Sequence, residues 1–150
     1  MGGDALIDLA PRIRAARAAA PEMVINARCD IFLNAIGEEQ TRFARTVERL
    51  NAYREAGADC LFAPGVGDRE TIARLVKAVR GPLNILAVAG SPPIAEMQAM
   101  GVARVSVGSG PMRAAMGLVR RIARELRDSG TFNHMIDGAI LYADANRIFE

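Results

Sequence analysis

Val24-Ile25-Asn26-Ala27-Arg28, followed by Cys29-Asp30, decides how this chain folds. The stretch is too short and too β-branched for a helix, and it reads as a nearly buried strand that ends on a charged group. Three further segments share the form: Asp59–Ala63, Leu83–Val88 and Ala103–Val107 each run into a small or charged turn and then a helix-patterned segment. Strands alternating with helices predict an α/β fold with a parallel sheet. Such sheets collect polar groups at the carboxyl ends of their strands, here Arg28, Asp30, Asn84, Ser106 and Gly108.

The segments between are read from punctuation and period. Pro11 sits where a first-turn proline is tolerated, and Ile13, Ala16, Arg17 and Ala20 follow at helical spacing, so the first helix spans Pro11–Ala20. Glu38–Ala56 carries Phe43, Val47 and Leu50 on one face, with Gly57 as its stop. Asp68 caps a helix whose stripe is Ile72, Leu75, Val76 and Val79, ending at Gly81-Pro82. Ser91-Pro92 reads as an N-cap with proline at the first helical position, and that short helix stops at Gly101. Gly108-Ser109-Gly110-Pro111 leads into a long amphipathic helix, Met112–Arg127. From Thr131 a terminal helix is expected, with Phe132–Phe149 carrying Met135, Ile136, Ile140, Leu141 and Ile148.

Composition narrows the function classes. A chain of 150 residues, 51% apolar and 24% charged, suits a single globular domain with a core of its own, and no linker divides it. The formal net charge of +2 is spread over several helices, so no nucleic-acid footprint is expected. No apolar segment approaches membrane-spanning length and no basic-plus-apolar leader is visible, so a cytoplasmic protein is expected. Cys29 and Cys60 lack CxxC spacing and read as a reduced interior pair. His134 is the only histidine, which excludes a multi-histidine metal cluster.

Four βα units fit either a small open parallel sheet or part of a (β/α)8 barrel, and a complete barrel needs about 200 residues or more. The words "INARCDIF" at 25–32, "YREAGADCLFAPG" at 53–65, "GPLNIL" at 81–86, "MGVARVSVGSGPMRAAM" at 100–116 and "ELRDSGTF" at 125–132 decide between them. In their order and spacing they resemble the isocitrate lyase/phosphoenolpyruvate mutase family. The opening "RIRAARAAA" at 12–20 is similar to the helix before that family's fifth strand. The resemblance implies a partial (β/α)8 TIM barrel, strands five to eight plus a terminal helix, with 1–150 as one partial-barrel domain whose last helix, from about residue 132, is detached or exchanged between neighbours. It also implies that the chain is a fragment: the chain begins after the point where the fourth strand would end.

By resemblance Arg28 is a substrate-anion arginine, and its planar fork suits a carboxylate or phosphonate oxygen pair. The bland reading of Arg28 is an ion pair with Asp30. Asn84 resembles a position whose amide donates to a substrate carboxylate, against which stands a plain strand-end asparagine. Arg113 aligns with an arginine that approaches substrate, and the backbone at Gly108–Gly110 offers N–H groups to an anion. Pro64-Gly65 stands where the lyases carry a glutamate, which argues against isocitrate or methylisocitrate cleavage. Cys29 points away from Arg28 if the strand is regular, so a nucleophilic role is not expected of it. The resemblance places the family's catalytic thiol, where one exists, on a loop outside this chain, so no catalytic residue is expected here. The resemblance implies Mg²⁺, with ligands that are not in this chain.

The expectation is therefore a fragment of a metal-dependent C–C or P–C bond lyase or mutase acting on a 2-oxo acid or phosphonate, inactive alone. Its expected partners are a small anionic substrate and either further copies of itself or a complementary half-barrel. The alternatives are a non-enzymatic half-barrel assembly module and a small open-sheet binder of phosphorylated ligands using Gly108–Gly110.

Overall fold

A computed structural model describes residues 9–148 and sets the short strands side by side, with helices in each connection. In chain order the elements are α1 (Ala10–Ala19), β1 (Asn26–Arg28), α2 (Glu39–Glu55), β2 (Cys60–Ala63), α3 (Arg69–Ala78), β3 (Leu83–Leu86), α4 (Ile94–Met100), β4 (Arg104–Ser106), α5 (Gly110–Ser129), α6 (Asn133–Ile136) and α7 (Tyr142–Arg147). The strands form one parallel sheet in the order β1-β2-β3-β4, the α/β arrangement of four βα units expected from the sequence. Parallel neighbours cannot be joined by a tight hairpin, and α2, α3 and α4 supply the long crossovers.

Each strand is shorter than its apolar run. Met23 and Val24 lie outside the ladder, and Val24 is 73% exposed; pairing begins only where the Ile25 carbonyl accepts the N–H groups of Asp59 at 2.9 Å and Cys60 at 3.1 Å. β3 ends at Leu86 because the next residues fold into a turn: Val88 N–H donates to the Ser91 hydroxyl at 3.0 Å. The expected cap at Ser91 is thereby corrected. Helix α4 starts at Ile94 with Pro93 at its N-cap, since Pro92 precedes another proline and is held out of helical geometry.

Other helix ends follow the sequence signals. The Asp68 carboxylate accepts the Thr71 N–H at 2.7 Å and caps α3. Gly57 beyond α2 and Gly101 beyond α4 have φ of 107° and 98°, a region that L side chains avoid.

Alternation along the strands gives the sheet two faces. Ala27, Leu61, Ala63, Leu83 and Ile85 point to one side, where Leu50 and Tyr53 of α2 and Ile72 and Leu75 of α3 join them in one buried cluster. A fully buried side chain of this size contributes about 1.5–3 kcal/mol, so this cluster is the main source of stability. At the amino ends of β1 and β2, Arg17 donates to the Gly57 carbonyl at 2.9 Å and to the Asp59 carboxylate. The Ile25 N–H and Arg17 together hold the Asp59 carboxyl below its usual range.

The chain divides into two compact units after Gly108. In the second, α5 ends at Gly130, with φ of 65°, and the Glu125 carboxylate fixes the corner into α6. It accepts from the Thr131 hydroxyl at 2.7 Å and from the N–H groups of Asn133 and His134 at 2.8 and 2.9 Å, while His134 Nδ1 lies 2.7 Å away. These bonds push its pKa down to about 2. The expected terminal helix is two short ones, interrupted at Gly138 with φ of 71°. Phe149, at the end of that expected segment, lies outside the described residues.

Candidate functional site

The face of the sheet opposite the helices is built from the other half of each alternation. Register pairs Arg28 with Phe62, Phe62 with Asn84, and Asn84 with Arg104, so these four side chains form one row across all four strands. One step toward the amino ends Asn26 pairs with Cys60, and one step toward the carboxyl ends Leu86 pairs with Ser106. Arginine, asparagine and serine on a sheet face contrast with the alanine, leucine and isoleucine of the other side.

Arg28 ends β1 with a half-exposed side chain. Its Nε donates to Asp30 Oδ1 at 2.5 Å, and its guanidinium lies 5.9 Å from the centroid of the Phe62 ring. The ion pair expected as the bland reading is therefore present. It engages Nε, and the two Nη groups have no protein acceptor among the described residues. Asp30 thus orients the fork and leaves its outer edge available to a planar oxyanion.

Asn84 is the second residue of β3, not its carboxyl end, and it is fully buried. Its Oδ1 accepts from the Ser106 hydroxyl at 3.1 Å, which ties the middle of β3 to the end of β4. Its Nδ2 is buried with no partner, as is Oδ1 of Asn26 on the same face. A buried donor left unsatisfied costs about 1–3 kcal/mol, so Nδ2 is where a ligand acceptor would bring a gain.

Glycines shape the rim. Gly108 has φ of 52° at the end of the first unit, and a Cβ there would come 3.2 Å from Leu86 Cδ1. Gly65, in the turn after β2, has φ of 88°, and a Cβ there would lie 2.5 Å from the Leu33 nitrogen. The Pro64-Gly65 departure therefore has a structural cause: the turns after β1 and β2 touch backbone to backbone. Arg113 belongs to the second unit, where it is exposed in the first turn of α5 and its N–H donates to the Ser109 carbonyl at 2.9 Å.

Cys29 is buried on the helix side, near Arg49, and desolvation pushes its thiol pKa up; the same cause raises that of Cys60. Neither is a poised thiolate. Sequence reading passed over Arg104 and Asn26, whose place on this face is set by strand register; alternation within β1 and β4 could have found both. The Mg²⁺ implied by resemblance does not fit the donors present. Among the described residues no three His, Cys, Asp or Glu side chains cluster, and Asp30, at the carboxyl end of β1, is engaged by Arg28, whereas the ion demands near-octahedral oxygen coordination.

The sequence of the phosphoenolpyruvate phosphomutase family matches residues 5–127. A Burkholderia cenocepacia J2315 structure, provisionally described as a lyase/mutase, superposes with a TM-score of 0.83 at 39% identity, over 93% of this chain and 51% of that one. Phosphonopyruvate hydrolase in complex with oxalate and Mg²⁺ superposes with a TM-score of 0.70 at 25% identity, over 94% of this chain and 50% of the other. An uncharacterized protein of Mycobacterium tuberculosis H37Rv is 34% identical over 134 residues, 89% of this chain and 50% of its own length. The chain spans about half the length of these relatives. With the βα order, the parallel sheet and most of the sequence all in agreement, this chain belongs to the phosphoenolpyruvate phosphomutase family, within the superfamily that also holds the isocitrate lyases.

Proposed function

We propose that this chain supplies the anion-holding half, strands five to eight, of a barrel enzyme that makes or breaks a C–C or P–C bond in a 2-oxo acid or phosphonate. The observation that carries the reading is the unpartnered Nδ2 of Asn84, a buried donor on the same sheet face as the free edge of the Arg28 fork. Arg28 takes two oxygens of a carboxylate or phosphonate, Asp30 fixes its approach, and the Phe62 ring supports the guanidinium from one side. Asn84, held by Ser106, donates from Nδ2 to a further oxygen. Gly108 and Arg113 keep the substrate-binding role that resemblance implies.

Mg²⁺, held by groups outside the described residues, would supply the Lewis acidity that the reaction class needs. The chain alone is then inactive. Oxalate, the planar dianion bound by phosphonopyruvate hydrolase, is the natural probe. The terminal segment, whose Ile136, Ile140 and Leu141 are exposed, serves assembly with further copies in the cytoplasm.

The test is titration of oxalate into this chain mixed with the half of the Burkholderia relative that it does not match. Wild type binds, and Arg28→Lys weakens binding by roughly tenfold or more, because a point charge replaces a two-pronged donor. Equal affinity of the two proteins would assign Arg28 to its pair with Asp30 alone.

A further inference from the structure

Beyond the Arg28 and Asn84 contacts proposed for the substrate anion, the polar face carries a second cation, Arg104, that those contacts leave unused. The strand positions of this face are Asn26, Arg28, Cys60, Phe62, Asn84, Leu86, Arg104 and Ser106, with two cations and no carboxylate. Arg28 is neutralised by Asp30 from the following turn. Arg104 is exposed and has neither a hydrogen bond nor an ion pair among the described residues, and its charge acts on the thiol of Cys60 on the same face. Two buried atoms on the same face also lack partners, an acceptor at Asn26 Oδ1 and a donor at Asn84 Nδ2. Strands β1 and β4, which hold Asn26 and Arg104, are the two edges of the sheet, each with one side of its backbone ladder unpaired among the described residues.

We infer that this face and its two edges dock a β-strand-bearing segment that presents a carboxylate to Arg104. The inference rests on the half-barrel reading above and names what a complementary half would carry. Charge decides against a second copy as the occupant, because two such faces closed on each other would place both Arg104 side chains in one low-dielectric interior with no strand carboxylate to meet them. A complement of opposite sign satisfies Arg104, and strand addition along β1 and β4 satisfies the backbone. That the chain spans about half the length of its relatives sets the size of the segment.

The experiment measures the dissociation constant between this chain and the unmatched half of the Burkholderia relative by sedimentation, for wild type, Arg104→Met and Arg104→Lys. Arg104→Met is expected to weaken the complex about thirtyfold or more, as for truncation of one partner of a buried charge pair, and Arg104→Lys by less. The urea midpoint of the uncomplexed chain stays the same in all three, since Arg104 has no partner there to lose. Self-association gives the opposite sign: if two copies pair through these edges, Arg104→Met strengthens them by removing repulsion. Equal affinity of wild type and Arg104→Met for the complement overturns the inference while leaving the half-barrel reading intact. Absence of any complex with the wild type overturns both.

Discussion

One sheet has two faces of opposite character. On the helix side Leu61, Ala63, Leu83 and Ile85 are almost wholly buried and every neighbour they need lies within the first unit. On the other side Arg28 and Arg104 flank Phe62 and a buried asparagine with an unmade hydrogen bond. The difference separates a face whose packing is complete within the first unit from one whose polar groups keep unmade bonds among the described residues. Apolar burial is concentrated on the first face, and the unpartnered polar groups to which we assign binding lie on the second.

Substitutions at adjacent residues of β3 give the sharpest way to break that comparison. Ile85→Ala, on the helix face, is expected to lower the stability of the isolated chain by about 2–5 kcal/mol, and Leu86→Ala, on the polar face, by less than about 1 kcal/mol, read from urea unfolding midpoints. Similar losses at the two positions would mean that both faces are equally built.

Next in size is Gly65→Ala. The new Cβ meets the Leu33 backbone in a turn that already requires positive φ, and the expected loss is about 1–3 kcal/mol. A neutral outcome would remove the structural account of the missing glutamate. Asn84→Leu comes lower still, within about 1 kcal/mol of wild type, because it deletes an unsatisfied donor along with the acceptor for Ser106. The same variant should abolish the oxalate response of the reconstituted complex, which separates a binding role from a packing one.

The smallest effect belongs to the second unit and is local. The Glu125 carboxyl sits at about 2 against an ordinary 4.5, so its contribution is fully present above pH 4.5 and is lost as pH falls toward 2. Protection of the Asn133 and His134 amides, taken relative to their intrinsic exchange rates at each pH, should fall across that window, while amides of β2 and β3 stay protected. Uniform loss across both regions would contradict a local latch.

Much of the scaffold is legible because its signals are local. Gly57, Gly101 and the Asp68 cap each act within a turn of their own position. Ser91 misleads because Pro93 overrides it: a cap needs a helix that can start directly after it, and consecutive prolines delay that start. Val24 misleads because an apolar residue joins a strand only if a partner is alongside, and partners are not written in the segment itself. The site divides in the same way. Arg28 is visible at the end of its strand, whereas the burial of Asn84 and the row that includes Arg104 exist only once β3 has β2 and β4 as neighbours.

The central claim is that this chain holds the anion while the rest of the catalytic site comes from a complementary half. Steady-state turnover of phosphonopyruvate and of oxaloacetate by the purified chain with Mg²⁺ tests it most directly. The account predicts no turnover above the buffer rate by the chain alone. Sustained turnover by the chain alone at about 1–10³ s⁻¹, the ordinary range for a complete enzyme, would contradict it.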